Sequence, residues 1–150
     1  MRIVTPVVLC LFLSSLLVLA GEQPLPDLKA RADAAQGGER VALCLEYAHR
    51  ELEQSNTLYT DGDVEKAEAG IQEVVAYSRK ATETATGSNK RLKQTEIELR
   101  KIKNRMSDIG QSLNIDDRPP VEQAVKELEQ LRASLLAKMF GEKAEPKDKS

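Results

Sequence analysis

Apolar residues and one threonine recur at alternating steps of three and four between positions 92 and 113. They are Leu92, Thr95, Leu99, Ile102, Met106, Ile109 and Leu113. This spacing places all of them on one face of an α-helix, and the residues between them are mostly charged or amide. The segment is therefore predicted to be a helix that buries one face against partner helices.

The same rhythm predicts three further helices, at 39–60, 63–87 and 119–141, so that the helix at 92–113 is the third of four. The positions that share one face are Val41, Cys44 or Leu45, Ala48, Leu52, Ser55 and Tyr59 in the first, Val64, Ala67, Ile71, Val74, Ser78, Ala81 and Ala85 in the second, and Val121, Ala124, Leu128, Leu131, Leu135 and Met139 in the fourth. Proline at 119 and 120 suits the first turn of a helix, where it removes no intrahelical hydrogen bond.

Turn residues separate these helices. Asp61 and Gly62 are predicted to end the first helix, and Asp63 is predicted to cap the second. A run of threonines weakens the second helix before Gly87, and Ser88 is predicted to cap the third. The alternative is that the second and third helices continue through Gly87 as one rod.

Four helices of about 20–26 residues with short connections predict an all-α fold. The expected architecture is an up-down-up-down four-helix bundle, or helical hairpins with coiled-coil-like packing, over residues 39–141. Residues 21–38 are predicted to be a flexible lead-in, because Pro24 and Pro26 interrupt regular structure and leave room only for a short helix. Residues 142–150 are predicted to be a disordered charged tail.

Residues 1–20 have the pattern of a secretory signal. One charge at Arg2 precedes an apolar run that ends in small residues at Val18 and Ala20. Cleavage is predicted after Ala20, leaving Gly21 as the new amino terminus and no membrane span in the mature chain. The alternative is a retained anchor, for which the run is short. The predicted location is the periplasm or the extracellular space.

Composition narrows the function further. The chain has 22 Lys and Arg residues, of which Arg2 lies in the signal, against 24 acidic residues, so the mature net charge is about −3. It contains no Trp and few other aromatic residues on which bases could stack. Export, acidity and scarce aromatics argue against a nucleic-acid partner. Cys10 leaves with the signal, so Cys44 is predicted to be a reduced core residue or, alternatively, to form an intermolecular disulfide.

The first turn resembles the helix-turn-helix of a tetratricopeptide repeat over residues 58–75. The matching stretch is Tyr59-Thr60-Asp61-Gly62-Asp63-Val64-Glu65-Lys66-Ala67, followed by Ile71 and Val74. The resemblance implies a tight helical hairpin in which Gly62 makes the turn and Ala67 lets the helices approach closely. Peptide binding in that family needs an array of such units, and one unit cannot build the groove. The chain as a whole resembles exported helical proteins of bacteria.

Candidate metal and catalytic sites are weak in this sequence. A calcium loop starting at Asp61 would need glycine at Lys66 and an acid at Gln72. Asp116 and Asp117 are typical of a turn that precedes a helix. We therefore predict no enzyme activity, no metal and no cofactor.

His49 is the only histidine of the chain. A single histidine removes two-histidine zinc sites and di-iron sites of the Glu-x-x-His type. Haem held by His49 with Met106 or Met139 stays open as a minor alternative.

The third helix carries the one promising surface feature, a possible anion-binding cluster. Its residues are Lys90, Arg91, Lys93, Arg100, Lys101, Lys103 and Arg105. These cations either pair with acidic residues of the neighbouring helices or bind an anionic component of the cell envelope. The sequence thus predicts an exported, non-catalytic helical scaffold or interaction protein, whose partner is another protein or a second copy in a homodimer. The alternative is a binder of anionic lipid or polymer through the third helix.

Overall fold

The computed structural model describes residues 23–141, which form five α-helices and contain no strand. The helices are α1 (Leu25–Ala34), α2 (Gly37–Asp61), α3 (Val64–Ser88), α4 (Leu92–Ser112) and α5 (Arg118–Gly141), with a 3-10 turn at Ile115–Asp117 before α5. The prediction of an all-α fold is confirmed. The predicted signal at 1–20 and the predicted tail at 142–150 lie outside the described residues.

The four long helices form two antiparallel hairpins, α2 with α3 and α4 with α5. The hairpins pack so that α2 lies beside α4 and α3 lies beside α5. Arg105 of α4 binds Glu53 of α2, and Glu98, earlier in α4, binds His49, earlier in α2. Because both contacts advance in the same direction, α2 and α4 run parallel. Helix directions therefore alternate along the chain, while the order around the bundle is α2, α3, α5 and α4.

The core follows the predicted helix faces closely. On α4, the five central positions of the predicted face are all buried, and Leu92 and Leu113 at its two ends are partly buried. On α5, Val121, Leu128 and Leu135 are buried at the same spacing. These aliphatic side chains interlock along the bundle, and each stabilises the fold by about 1.5–3 kcal/mol relative to an exposed position.

Helices α2 and α3 approach closely at Gly70. A Cβ atom at Gly70 would overlap Ser55 Oγ and lie 2.7 Å from Glu51 Oε1. Ala67, one turn earlier in α3, is also fully buried. Small side chains on α3 thus let the two helix backbones come together, and the turn at Gly62 has the left-handed conformation that favours glycine, with φ of 82°.

Residues 25–34 contribute to the core, where the sequence indicated a lead-in outside the bundle. They form α1, whose Leu28 and Ala32 are fully buried against the rest of the molecule. Pro24 directly precedes the helix and Pro26 lies in its first turn, where proline is tolerated. The packed domain therefore begins at α1.

Two predicted helix caps are wrong in detail. Asp63 is the N-cap residue of α3, as predicted, but its side chain makes no capping hydrogen bond, and its carboxylate accepts a hydrogen bond from the Lys66 ammonium group. Ser88 is the last residue of α3, and its hydroxyl donates to the Thr84 carbonyl rather than capping α4. The break between the two helices is confirmed, but it lies at 89–91, where Asn89 takes the left-handed conformation that ends α3.

Candidate functional site

Three of the seven predicted cluster residues are occupied in ion pairs. Arg105 binds both carboxylate oxygens of Glu53 on α2, at 2.7 and 2.8 Å. Lys103 lies 3.3 Å from a carboxylate oxygen of Glu129 on α5, and Lys101 lies 2.9 Å from Glu98 on its own helix. Arg105 and Lys103 therefore hold α4 to its two neighbours, as the first interpretation of the cluster expected, while Lys101 pairs within α4.

The other four cations, Lys90, Arg91, Lys93 and Arg100, are exposed, and within residues 23–141 none has a carboxylate within ion-pairing distance. Lys93 and Arg100 are seven residues apart and so share one face of α4. The Arg91 side chain donates to Gln94 and lies against Gly38 at the start of α2, where an added Cβ would be 3.1 Å from Arg91 Nε. The cations that remain available are therefore concentrated at the first turn of α4.

An exposed aromatic side chain lies at the same end of the bundle. Arg132 of α5 binds Glu96 of α4 at 2.8 Å, which fixes the antiparallel register of this hairpin. Continuing that register by eight residues places Phe140 level with the turn between α3 and α4. Phe140 is 61% exposed. We call Lys90, Arg91, Lys93 and Phe140 the basic end; Glu39 and Glu83 are the carboxylates nearest to it along α2 and α3.

His49 connects α2 to α4, a contact that the sequence did not predict. Its Nε2 atom lies 2.9 Å from Glu98 Oε2. Burial tends to raise the pKa of Glu98, but hydrogen bonds from Lys101 and His49 outweigh it and lower that pKa below its ordinary value. Met106, one of the two methionines considered as a haem ligand with His49, is fully buried in the core.

A polar cluster under α1 also escaped the sequence interpretation. Tyr77 donates to Asp33 at 2.7 Å, and Lys80 binds the other oxygen of Asp33 at 2.7 Å. The rings of Tyr47 and Tyr77 lie 4.3 Å apart at a tilt of 52°, a geometry typical of attractive aromatic pairs. The tyrosines lie on α2 and α3 outside the predicted helix faces. They are nevertheless buried, because α1 covers this side of the two helices.

Burial changes the pKa values of several groups in and near this layer. It raises the pKa of the Glu51 carboxyl, despite an opposing hydrogen bond from Tyr47, and it raises that of the Tyr77 hydroxyl. It also raises the pKa of the Cys44 thiol. Cys44 is fully buried in the core, so the structure agrees with a core residue and leaves the thiol no surface from which to reach a second chain.

The opposite end of the bundle holds a shallow cavity of about 160 Å³, where the end of α2 meets the turn before α5. Its lining is Asn56, Tyr59, Thr60, Ser112, Leu113, Asn114 and Asp117. The Tyr59 hydroxyl is buried, and within the described chain it has no hydrogen-bond partner. Burial, with the charges of Glu68 and Asp117, raises its pKa to about 12. An unpartnered buried hydroxyl is costly, and a ligand group that reached it would remove that cost.

Residues 23–141 contain neither a group of metal-ligating side chains nor a helix suited to crossing a bilayer. No three His, Cys, Asp or Glu side chains in this part of the chain are grouped so as to hold a metal ion. Among its helices, none combines enough length with enough apolar character to cross a bilayer.

Comparison of the chain with protein-family models, with curated proteins and with solved structures finds no match. Any assignment of function therefore depends on the geometry described above.

Proposed function

We propose that the chain is an exported, non-catalytic helical scaffold that acts through protein–protein contacts in the cell envelope. The observation that carries the proposal is the different location of the paired and the unpaired charged side chains. Charged side chains between the long helices are paired, as in Arg105 with Glu53 and Arg132 with Glu96. At one end of the bundle Lys90, Arg91 and Lys93 are exposed without an ion-pair partner among the described residues, and at the other end so are Asp61 and Asp116. These groups are available for recognition on outer surfaces.

Export is tested on the protein taken from cells. Amino-terminal sequencing should begin at Gly21, because the apolar run before it ends in the small residues that a signal peptidase requires. Recovery of an intact Met1 from the cytoplasmic fraction would contradict the proposed location.

The contact function is tested by capture from the envelope fraction, with residues 21–150 as bait. The matched bait carries Lys90→Gln, Lys93→Gln and Arg100→Gln, which removes three unpaired charges and leaves the ion pairs between helices intact. A protein partner should be retained by the unchanged bait as a defined species after washing. If the unchanged bait retained no defined protein species after washing, the scaffold proposal would be contradicted.

A second candidate function is binding of an anionic lipid or polymer through the basic third helix. The observation in its favour is that Lys90, Arg91, Lys93 and Arg100 are exposed without carboxylate partners among residues 23–141. Binding of this kind weakens steeply with salt, because it depends on charge neutralisation. Sedimentation with vesicles of anionic and of zwitterionic lipid at two salt concentrations separates the two functions.

A further inference from the structure

The two large apolar side chains that are most exposed in the described part of the chain lie at opposite ends of the bundle. Phe140 is 61% exposed at the basic end, and Ile115 is 78% exposed in the turn between α4 and α5. Helix α4 separates the two ends by about 30 Å, from its 21 residues. Each exposed apolar side chain lies among charges, and the signs of those charges differ.

The end that carries Ile115 is acidic. Asp116 and Asp117 follow Ile115 directly, and the parallel packing of α2 and α4 brings Asp61 to the same end. Asp61 and Asp116 have no ion-pair partner within residues 23–141. Arg118 is engaged in the fold, because it donates to the carbonyls of Leu113 and Gln111 at the end of α4. We call Asp61, Ile115, Asp116 and Asp117 the acidic end.

The acidic end also has a cavity that suits an ammonium group. Tyr59 and Asp117 both line it, and the Tyr59 hydroxyl is buried without a hydrogen-bond partner among the described residues. A volume of about 160 Å³ is large enough for an ammonium group and the last methylenes of a lysine side chain. Asp117 can accept a hydrogen bond from that ammonium and balance its charge.

From this complementarity we propose that the chain associates head to tail, the basic end of one copy docking on the acidic end of the next. The ammonium group of Lys90 or Lys93 enters the cavity beside Tyr59 and Asp117, and Phe140 packs towards Ile115 of the second copy. Such a contact is heterologous and leaves a free basic end and a free acidic end, so it adds further copies in a row. The inference rests on the proposed scaffold function in that the partner is protein, here a second copy of this chain.

The contact is small and largely electrostatic, which determines how it should behave. The end of a four-helix bundle offers less area than a standard interface, so the affinity is expected to be weak. Exposed charges are screened over about 8 Å at physiological salt and over about 3 Å at 1 M. Association should therefore grow with protein concentration at low salt and disappear at high salt.

The experiment measures mass by sedimentation velocity for residues 21–150 over a hundredfold range of concentration. The basic-end variant carries Lys90→Glu with Lys93→Glu, and the acidic-end variant carries Asp116→Lys with Asp117→Lys. Each variant alone should associate at least tenfold more weakly than the unchanged chain, since attraction between opposite charges at the contact is replaced by repulsion between like charges. A mixture of the two should associate more strongly than either variant alone, because intact basic ends meet intact acidic ends and the reversed charges of the two mutated ends are also opposite in sign.

A further variant separates docking from a general effect of charge. Arg100→Glu changes an exposed, unpaired charge on the side of the bundle and should leave association unchanged.

Several results would overturn the inference. A mass of one chain at every concentration at low salt would remove it, and so would a closed pair that both end variants still form. Equal weakening by Arg100→Glu would show an unspecific charge effect. Binding of anionic vesicles without self-association would also overturn it. None of these results bears on a different protein captured from the envelope, so the scaffold proposal fails or survives separately.

Discussion

The close approach of α2 and α3 at Gly70 makes a sharp prediction about stability. In Gly70→Ala, the new methyl group would overlap Ser55 Oγ and lie 2.7 Å from Glu51 Oε1, so the buried side chains or the helices have to move. Gly87 lies in the same helix, and a Cβ there would have no neighbour within 4 Å. Gly87→Ala is therefore a matched control for the change in helix propensity.

The expected magnitudes follow from two opposing effects. Alanine stabilises a helix interior by about 1 kcal/mol relative to glycine, a gain that applies in full at Gly70 and in part at Gly87, which lies in the last turn of α3. Forcing an extra carbon into a packed interface costs about 1–3 kcal/mol, and only Gly70→Ala bears that cost. We expect Gly87→Ala to raise the free energy of unfolding by about 0.5–1 kcal/mol and Gly70→Ala to lower it by up to about 2 kcal/mol.

Urea unfolding followed by circular dichroism at the helix band measures both free energies. Ser55→Ala removes the hydroxyl that the new methyl group meets first, so Gly70→Ala should cost about 1 kcal/mol less in that background. Equal stabilisation by Gly70→Ala and Gly87→Ala would refute the reasoning, because it would place α2 farther from α3 than the structure has it.

The other predictions concern the core and the acid groups of the bundle. Leu99→Asp and Leu128→Asp should each lower the free energy of unfolding by about 3–5 kcal/mol, since both side chains are fully buried. The exposed substitution Lys101→Asp should lower it by less than about 1 kcal/mol. Similar urea midpoints for all three variants would contradict the assigned core. The pKa of Asp33 is lowered because hydrogen bonds from α3 outweigh its desolvation, so its contribution to stability is present above its ordinary pKa of 3.8 and is lost as pH falls through the lowered value. Asp33→Asn should flatten that acid limb in a series of urea midpoints against pH, and an unchanged limb would count against the Asp33 contacts. Burial raises the pKa of Glu51, so the contribution of Glu51 to stability is full below the ordinary pKa of 4.5 and is lost as pH rises through the raised value. Glu51→Gln should remove this fall in stability with rising pH and should be more stable than the unchanged chain at pH 7. A less stable variant would show that the carboxylate is better hydrogen-bonded than its burial indicates.

The sequence by itself determined where the long helices lie and which face of each is buried. Steps of three and four are a property of the helix alone, so the pattern from Leu92 to Leu113 identifies the buried side of α4 without knowledge of its neighbours. Glycine at Gly62 likewise fixes a turn through the local backbone, because it adopts positive φ without a steric cost.

Helix ends were less well determined. Ser88 has the composition of a cap, yet its hydroxyl bonds to the preceding turn, and α3 continues to that residue. The hydroxyl of a serine near a helix end can hydrogen-bond to backbone groups of the next helix or of its own helix. The two arrangements differ little in free energy, so packing determines which one forms. The break between α3 and α4 was expected at Gly87, but α3 continues one residue further, to Ser88.

Only the tertiary structure decided which helices are neighbours. An apolar helix face indicates that the face is buried, but it does not indicate which helix covers it. The parallel packing of α2 against α4 and the packing of α1 over α2 and α3 could therefore not be predicted from the sequence. That arrangement places Glu53 beside Arg105 and Glu129 beside Lys103, which uses up part of the predicted cluster. The cations at the start of α4 remain available because the turn carries them beyond the acidic residues of the neighbouring helices.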